Sequence, residues 1–129
     1  MSWLELRDRV IVVTGATGGI GRAMVSAFSG QGARVVLLDI DRAGTESAAA
    51  ELGGVLALTC DMGDPEAVAS AAGQVERELG GADVLVNNAA ILRPGALEHL
   101  AVADWEAMLR INLTGYLLAS CLLYTSDAA

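Results

Sequence analysis

The stretch Thr14-Gly15-Ala16-Thr17-Gly18-Gly19-Ile20-Gly21 constrains this chain more than any other. It follows a β-branched run, Arg9-Val10-Ile11-Val12-Val13-Thr14, of the kind found in strands buried on both faces. It precedes a segment in which Ile20, Ala23, Met24, Ala27 and Phe28 recur at helical spacing, expected to be that helix's apolar stripe. Glycines between a strand and a helix let the backbone turn tightly. They also bring the free N–H groups of the helix N-terminus close to a phosphate. A glycine-rich turn alone is only a connection, but in this setting it points to a pyrophosphate site.

The rest of the chain repeats the alternation. Residues 33–39, 55–60 and 83–87 read as strands, and residues 42–52 as a helix ended by Gly53-Gly54. Asp64 is placed to cap the next helix, with Pro65 in its first turn and Glu66 at the positive end of its dipole. Val68, Ala72, Val75 and Leu79 form that helix's expected buried stripe, and Gly80-Gly81 ends it. A loop through Pro94-Gly95 leads to a last helix at residues 102–120. Strands alternating with helices imply right-handed crossovers and a parallel sheet. The expected fold is α/β, a doubly wound parallel sheet of the Rossmann kind, with strand order 3-2-1-4 and a crevice between strands 1 and 4. A length of 129 residues allows one domain.

Charge narrows the partners. The net charge is −8, with 16 acids against 8 bases, and all the bases are Arg. This argues against nucleic acid and against an anionic membrane surface, both of which need a basic face. No apolar run approaches the roughly 18 residues of a membrane helix. The start lacks the basic-then-apolar order of a signal peptide, so a cytoplasmic protein is expected. Cys60 and Cys121 show no paired spacing and read as small buried apolar side chains. His99 has no partner motif and reads as surface, and no metal-ligand set is expected. Asp39 ends the second strand, where an acid can accept hydrogen bonds from the hydroxyls of an adenosine ribose.

Taken together, these motifs resemble the short-chain dehydrogenase/reductase family over about residues 5–120. The pattern T-G-x-x-x-G-x-G is similar to that family's glycine motif. Asn87-Asn88-Ala89-Ala90 resembles its N-N-A-G motif, and Asp61-Met62 its adenine-contacting pair. Asp104-Trp105 and Arg110-Ile111-Asn112 resemble the helix that carries its active-site Asn. The resemblance implies an NAD(P)-dependent oxidoreductase that interconverts an alcohol and a carbonyl compound by hydride transfer. It also implies a small-molecule substrate and a homo-oligomeric full-length protein.

Carried over residue by residue, Gly15, Gly19 and Gly21 hold the pyrophosphate turn, with Thr17 and Gly18 in the same cofactor-binding set. Ile20 makes a backbone contact towards the nicotinamide, Asp39 takes the adenosine ribose, and Asp61 and Met62 contact adenine. Asn88, Ala89 and Ala90 border the cofactor, Ala90 standing where Gly is usual, while Thr14 and Asn87 brace the central strands. Asn112 is the Asn of an Asn-Ser-Tyr-Lys catalytic set and marks a water-holding position.

The family's proton chemistry carries the signature Y-x-x-x-K. Tyr116 is followed four residues on by Ser120, Tyr124 by Ala128, and the chain has no Lys. Residues 1–120 are therefore expected to be an incomplete cofactor-binding domain, truncated after strand 4 and the following helix and inactive alone. Residues 121–129 read as the in-frame translation of a transposase adapter used in sequencing libraries, and are expected to be an artefact. NAD is expected over NADP, because Asp39 repels a 2′-phosphate and Gly18 stands where NADP-preferring relatives often carry Arg or Lys. Two other readings stay open. One is a non-catalytic dinucleotide-binding module; the other is a sugar-nucleotide epimerase or dehydratase, whose glycine motif is usually T-G-x-x-G-x-x-G.

Overall fold

The β-branched runs become the strands of one parallel sheet. In the computed structural model, which describes residues 3–120 and 122, its order is β3-β2-β1-β4. The strands are β1 (Val10–Thr14), β2 (Arg34–Asp39), β3 (Leu56–Thr59) and β4 (Val84–Val86). Val12 lies beside Val36 on one side and Leu85 on the other, so β1 is central. Each strand is slightly shorter than its expected run, although backbone hydrogen bonds still tie the run ends Arg9, Val55, Cys60 and Asp83 to the neighbouring strands.

Side chains alternate across the sheet, and both faces are covered. Val10, Val12, Val36, Leu38 and Leu58 pack with Val68, Ala71 and Val75 of α3 (Pro65–Leu79) and Ala119 of α5 (Gly115–Ser120). Ile11, Val13, Val35 and Leu37 pack on the other face with Val25 of α1 (Gly19–Gly30) and Ala48 of α2 (Arg42–Leu52). This double burial is why β1 and β2 read as continuous apolar runs rather than alternating ones. The stretch expected to be adapter-derived, 121–129, lies outside the described residues apart from Leu122, which is 4% exposed and belongs to the α3-side core.

Helix α1 corrects one expectation. Its buried residues are Gly21 and Val25, whereas Ile20 is 70% exposed and Ala23 and Ala27 lie on the surface. The helix is seated by its smallest residue. A Cβ on Gly21 would run into the Gly15 carbonyl oxygen and lie 2.9 Å from the Ala16 Cα. That close approach rotates the helix away from the stripe counted by hydrophobicity.

The last helix is also not uniform. Between α4 (Val102–Leu109) and α5 lies a π-helical turn, Arg110–Thr114, centred on Asn112. Gly115 follows directly, and a Cβ there would lie 2.8 Å from the Met62 carbonyl oxygen. The wide turn thus serves two contacts: Asn112 reaches the loop after β4, and Gly115 rests on the loop after β3.

Candidate functional site

The glycine turn, the ends of β2 and β3 and the loop after β4 meet at the C-terminal edge of the sheet, where β1 lies between β2 and β4. Gly15 leaves β1 with φ +63°, and a Cβ there would lie 2.8 Å from the Ala89 Cα, so glycine is required both for the turn and for the approach. Gly18 occupies the N-cap of α1 with no side-chain cap and no acid in the first turn. The positive end of this helix therefore faces open space at Gly19, where a Cβ would meet nothing within 4 Å.

The central strands are tied together by polar contacts. Thr14 is buried. Its hydroxyl accepts from the Asn88 and Ala89 backbone N–H groups at 3.0 Å each and donates to the Val86 carbonyl at 3.3 Å. The Asn88 side-chain amide donates to the carbonyls of Thr14 and Gly15, at 3.1 Å each. The bracing expected of Thr14 and Asn87 thus falls to Thr14 and Asn88. Asn87 Oδ1 is buried with no hydrogen-bond partner among the described residues. The reason is geometric: β4 ends at Val86, and the Asn88 side chain, two residues on, faces the β1 turn.

Asp39 closes the site on the β2 side. Its Oδ2 accepts from Thr17 Oγ1 at 2.8 Å and the Thr17 N–H at 3.0 Å, and its Oδ1 accepts from the Asp41 N–H at 3.1 Å. Beside it lies a cavity of about 150 Å³ lined by Gly15, Asp39, Ile40, Cys60, Asp61, Met62, Ala89, Ala90, Ile91 and Ile111. A second hollow of about 360 Å³ runs along Gly15, Thr17, Gly18, Gly19, Ile20, Gly21, Asp39, Asn88, Ala89 and Ala90. Every residue expected to border a cofactor lines one of the two. An apolar cavity joined through a carboxylate to an uncapped helix N-terminus suits a flat ring, a polyol and an anionic ester in that order.

Asn112 does not line either hollow. Its Oδ1 accepts from the Ile91 N–H and its Nδ2 donates to the Ile91 carbonyl, both at 2.8 Å. It clamps the loop wall rather than facing the space. Asp61 Oδ1 likewise accepts from the Gly63 N–H at 2.8 Å and shapes the loop after β3.

Ile40, Cys60, Ile91 and Ile111 line the cavity without having been singled out as site residues. Ile40 carried a signal: an isoleucine just past a strand end, 69% exposed in the fold, is more consistent with a ligand surface than with a core. Cys60 is 2% exposed, as a small buried side chain should be. Burial, and secondarily the Asp61 and Asp64 carboxylates, push its thiol up to about 11, so it stays protonated at neutral pH. His99 is exposed on a 3-10 turn, Leu97–His99. Among the described residues no group of His, Cys, Asp or Glu could hold a metal ion, and no helix is long and apolar enough to cross a membrane.

Comparison with known proteins bears on family and fold. The chain is 41% identical over 115 residues to the D-threitol dehydrogenase of Mycolicibacterium smegmatis, covering 86% of this chain and 44% of that protein. It is 35% identical over 113 residues to the galactitol 2-dehydrogenase of Agrobacterium fabrum, covering 87% and 44%. It thus spans less than half the length of these curated relatives. Among solved structures, the Brucella melitensis 3-ketoacyl-(acyl-carrier-protein) reductase complexed with NADH superposes with a TM-score of 0.85 at 33% identity, over 90% of this chain and 48% of that one. The NAD+-bound structure of a xylitol dehydrogenase gives 0.85 at 31% identity, over 92% and 48%. The short chain dehydrogenase family model matches residues 9–126, which takes in the whole sheet and every residue of the two hollows. The chain belongs to the short chain dehydrogenase family.

Proposed function

We propose that the full-length protein is an NAD-dependent dehydrogenase acting between a small alcohol and its carbonyl partner, and that this chain supplies the dinucleotide-binding half. The observation that carries the reading is the uncapped, glycine-built N-terminus of α1 facing the Asp39 carboxylate across one continuous hollow. The residues present fit a dinucleotide. First-turn N–H groups of α1 would hold the pyrophosphate, Asp39 the adenosine ribose, and Ile40, Met62 and Ile111 the adenine ring. The bound nicotinamide would supply hydride chemistry. Asn112 would act by fixing Ile91 beside it. NADH and NAD+ in the two solved relatives support a nicotinamide dinucleotide. The names of the polyol dehydrogenases among the relatives support a small hydroxylated substrate.

Proton transfer needs more than these residues. The chain has no Lys, so neither Tyr116 nor Tyr124 opens a Y-x-x-x-K sequence. The proton-handling pair belongs, on this reading, to the part of the relatives that the chain does not span, and the chain alone binds without turnover. The reading further takes the protein as cytoplasmic and homo-oligomeric.

The test is steady-state kinetics of the full-length protein with NAD and NADP against a panel of polyols and ketones, beside Asp39→Ala. NAD should be preferred by about 5- to 150-fold, from a charge repulsion of about 4 kcal/mol at 4 Å that solvent and salt reduce to about 1–3 kcal/mol. Asp39→Ala should remove most of that preference. No turnover with any pair, or an NADP preference in the parent, overturns the assignment.

A further inference from the structure

The Asp39 carboxylate accepts three hydrogen bonds, and all of its donors come from the protein itself. Thr17 Oγ1 and the Thr17 N–H both reach Oδ2, at 2.8 and 3.0 Å, and the Asp41 N–H reaches Oδ1 at 3.1 Å. A carboxylate offers about four lone-pair positions, two on each oxygen. Oδ2 is therefore filled, and one position on Oδ1 remains. The threonine is itself held. A Cβ on Gly44, in the first turn of α2, would lie 3.1 Å from Thr17 Cγ2, so the methyl rests against α2 while the hydroxyl points at Asp39. Asp41 in turn caps α2 by accepting from the Gly44 N–H at 3.0 Å. Thr17, Asp39, Asp41 and Gly44 thus form one braced unit joining the glycine turn to the start of α2.

We infer that Thr17 is a positioning residue for cofactor selectivity, acting through Asp39 and not by touching the dinucleotide with its hydroxyl. This rests on the reading of Asp39 as the ribose-binding acid and adds the device that makes it selective. An unbraced aspartate can swing away from an incoming 2′-phosphate and so discriminates weakly. Held by two donors on Oδ2, the carboxylate stays where it is, and its remaining Oδ1 position accepts from a single ribose hydroxyl. The brace turns a mobile charge into a fixed one, and only a fixed charge keeps its full repulsion.

The test is a double-mutant cycle in the full-length protein, with dissociation constants for NADH and NADPH read by fluorescence titration. Thr17→Val and Thr17→Ala remove the hydroxyl in two ways, Thr17→Ser keeps it, and each is also made in the Asp39→Ala background. A thermal melt checks that each variant is folded. Both hydroxyl-less variants should lower the NADH-over-NADPH preference by about 5-fold, the scale of a partly lost hydrogen bond to a charged group. Thr17→Ser should retain most of the preference. In the Asp39→Ala background, removal of the hydroxyl should leave the ratio unchanged. If Thr17→Val and Thr17→Ala leave the wild-type ratio intact, or shift it equally with and without Asp39, the inference is wrong although Asp39 keeps its role. If Asp39→Ala itself leaves the ratio unchanged, the ribose assignment fails and the inference fails with it. Should Thr17→Val not fold, Thr17→Ala with its Ser control carries the same decision.

Discussion

Helices α1 and α3 open in the same way, each after a short loop from a strand end, yet their first turns are built from opposite materials. Helix α3 is completed by its own side chains. Asp64 accepts from the Glu66 N–H at 3.0 Å, Pro65 needs no partner for a missing N–H, and Glu66 lies at the positive end of the dipole. Helix α1 has Gly18 at its N-cap, with no side-chain cap and no acid in its first turn. A side-chain cap contributes about 1 kcal/mol, which α1 forgoes. At α3 the chain satisfies its own backbone, and at α1 it leaves the first-turn donors without a side-chain cap, as the proposed dinucleotide site requires.

The largest effect is expected at Gly21. Alanine there forces its Cβ into the Gly15 carbonyl, which is backbone and cannot swing aside. Gly21→Ala should lose measurable dinucleotide binding and destabilise the fold by about 3 kcal/mol, the upper range for overpacking. Urea unfolding beside an NADH titration checks both. Native stability within error of wild type would mean that α1 is not seated by this contact.

Exchanging the two helix starts gives the next largest effect. Gly18 has φ −73° and only a 3.6 Å neighbour for a Cβ, so Gly18→Asp fits without strain and supplies the missing cap. It should raise stability by about 1 kcal/mol while weakening dinucleotide affinity about 5- to 150-fold. Asp64→Ala is the mirror image: about 1 kcal/mol less stable, with affinity unchanged. A Gly18→Asp variant that binds as tightly as wild type would show that the α1 donors are not the anion site.

The smallest effect lies at Cys60, between the cavity and α3. Its folded thiol lies at about 11 against an ordinary 9.0, so the native state holds its proton more firmly. That contribution is complete below about pH 9 and is lost as pH rises through 11. Stability should fall by about 1 kcal/mol between pH 8 and 10 on this account. Cys60→Ala should remove that part of the slope, as read by chemical denaturation at the two pH values. An identical slope in the variant would deny the thiol any part in it.

Much of this was legible in the residue string. Continuous β-branched runs marked the doubly covered strands, Asp64-Pro65-Glu66 marked the start of α3, and the glycine spacing with Asp39 marked the site. Each is a local signal, readable because backbone sterics and capping act within a few residues. The misreadings share a different cause. The stripe counted on α1 treated hydrophobicity as the guide to burial, but the contact of Gly21 with Gly15 set the helix's rotation. Asn87 and Asn88 are adjacent, and nothing in their order says which faces Thr14.

What the string decided alone was therefore the alternation of elements, the parallel sheet and the chemistry gathered at its edge, because periodicity and glycine geometry are properties of neighbours in sequence. What only the tertiary structure decided was the pairing of distant groups: Thr17 with Asp39, Asn112 with Ile91, Thr14 with Asn88, and the π turn that lets Asn112 reach its loop. Those contacts join residues tens of positions apart. Their geometry exists only once the sheet has brought β1, β2 and β4 together, since a hydrogen bond depends on tenths of an ångström that no local preference specifies.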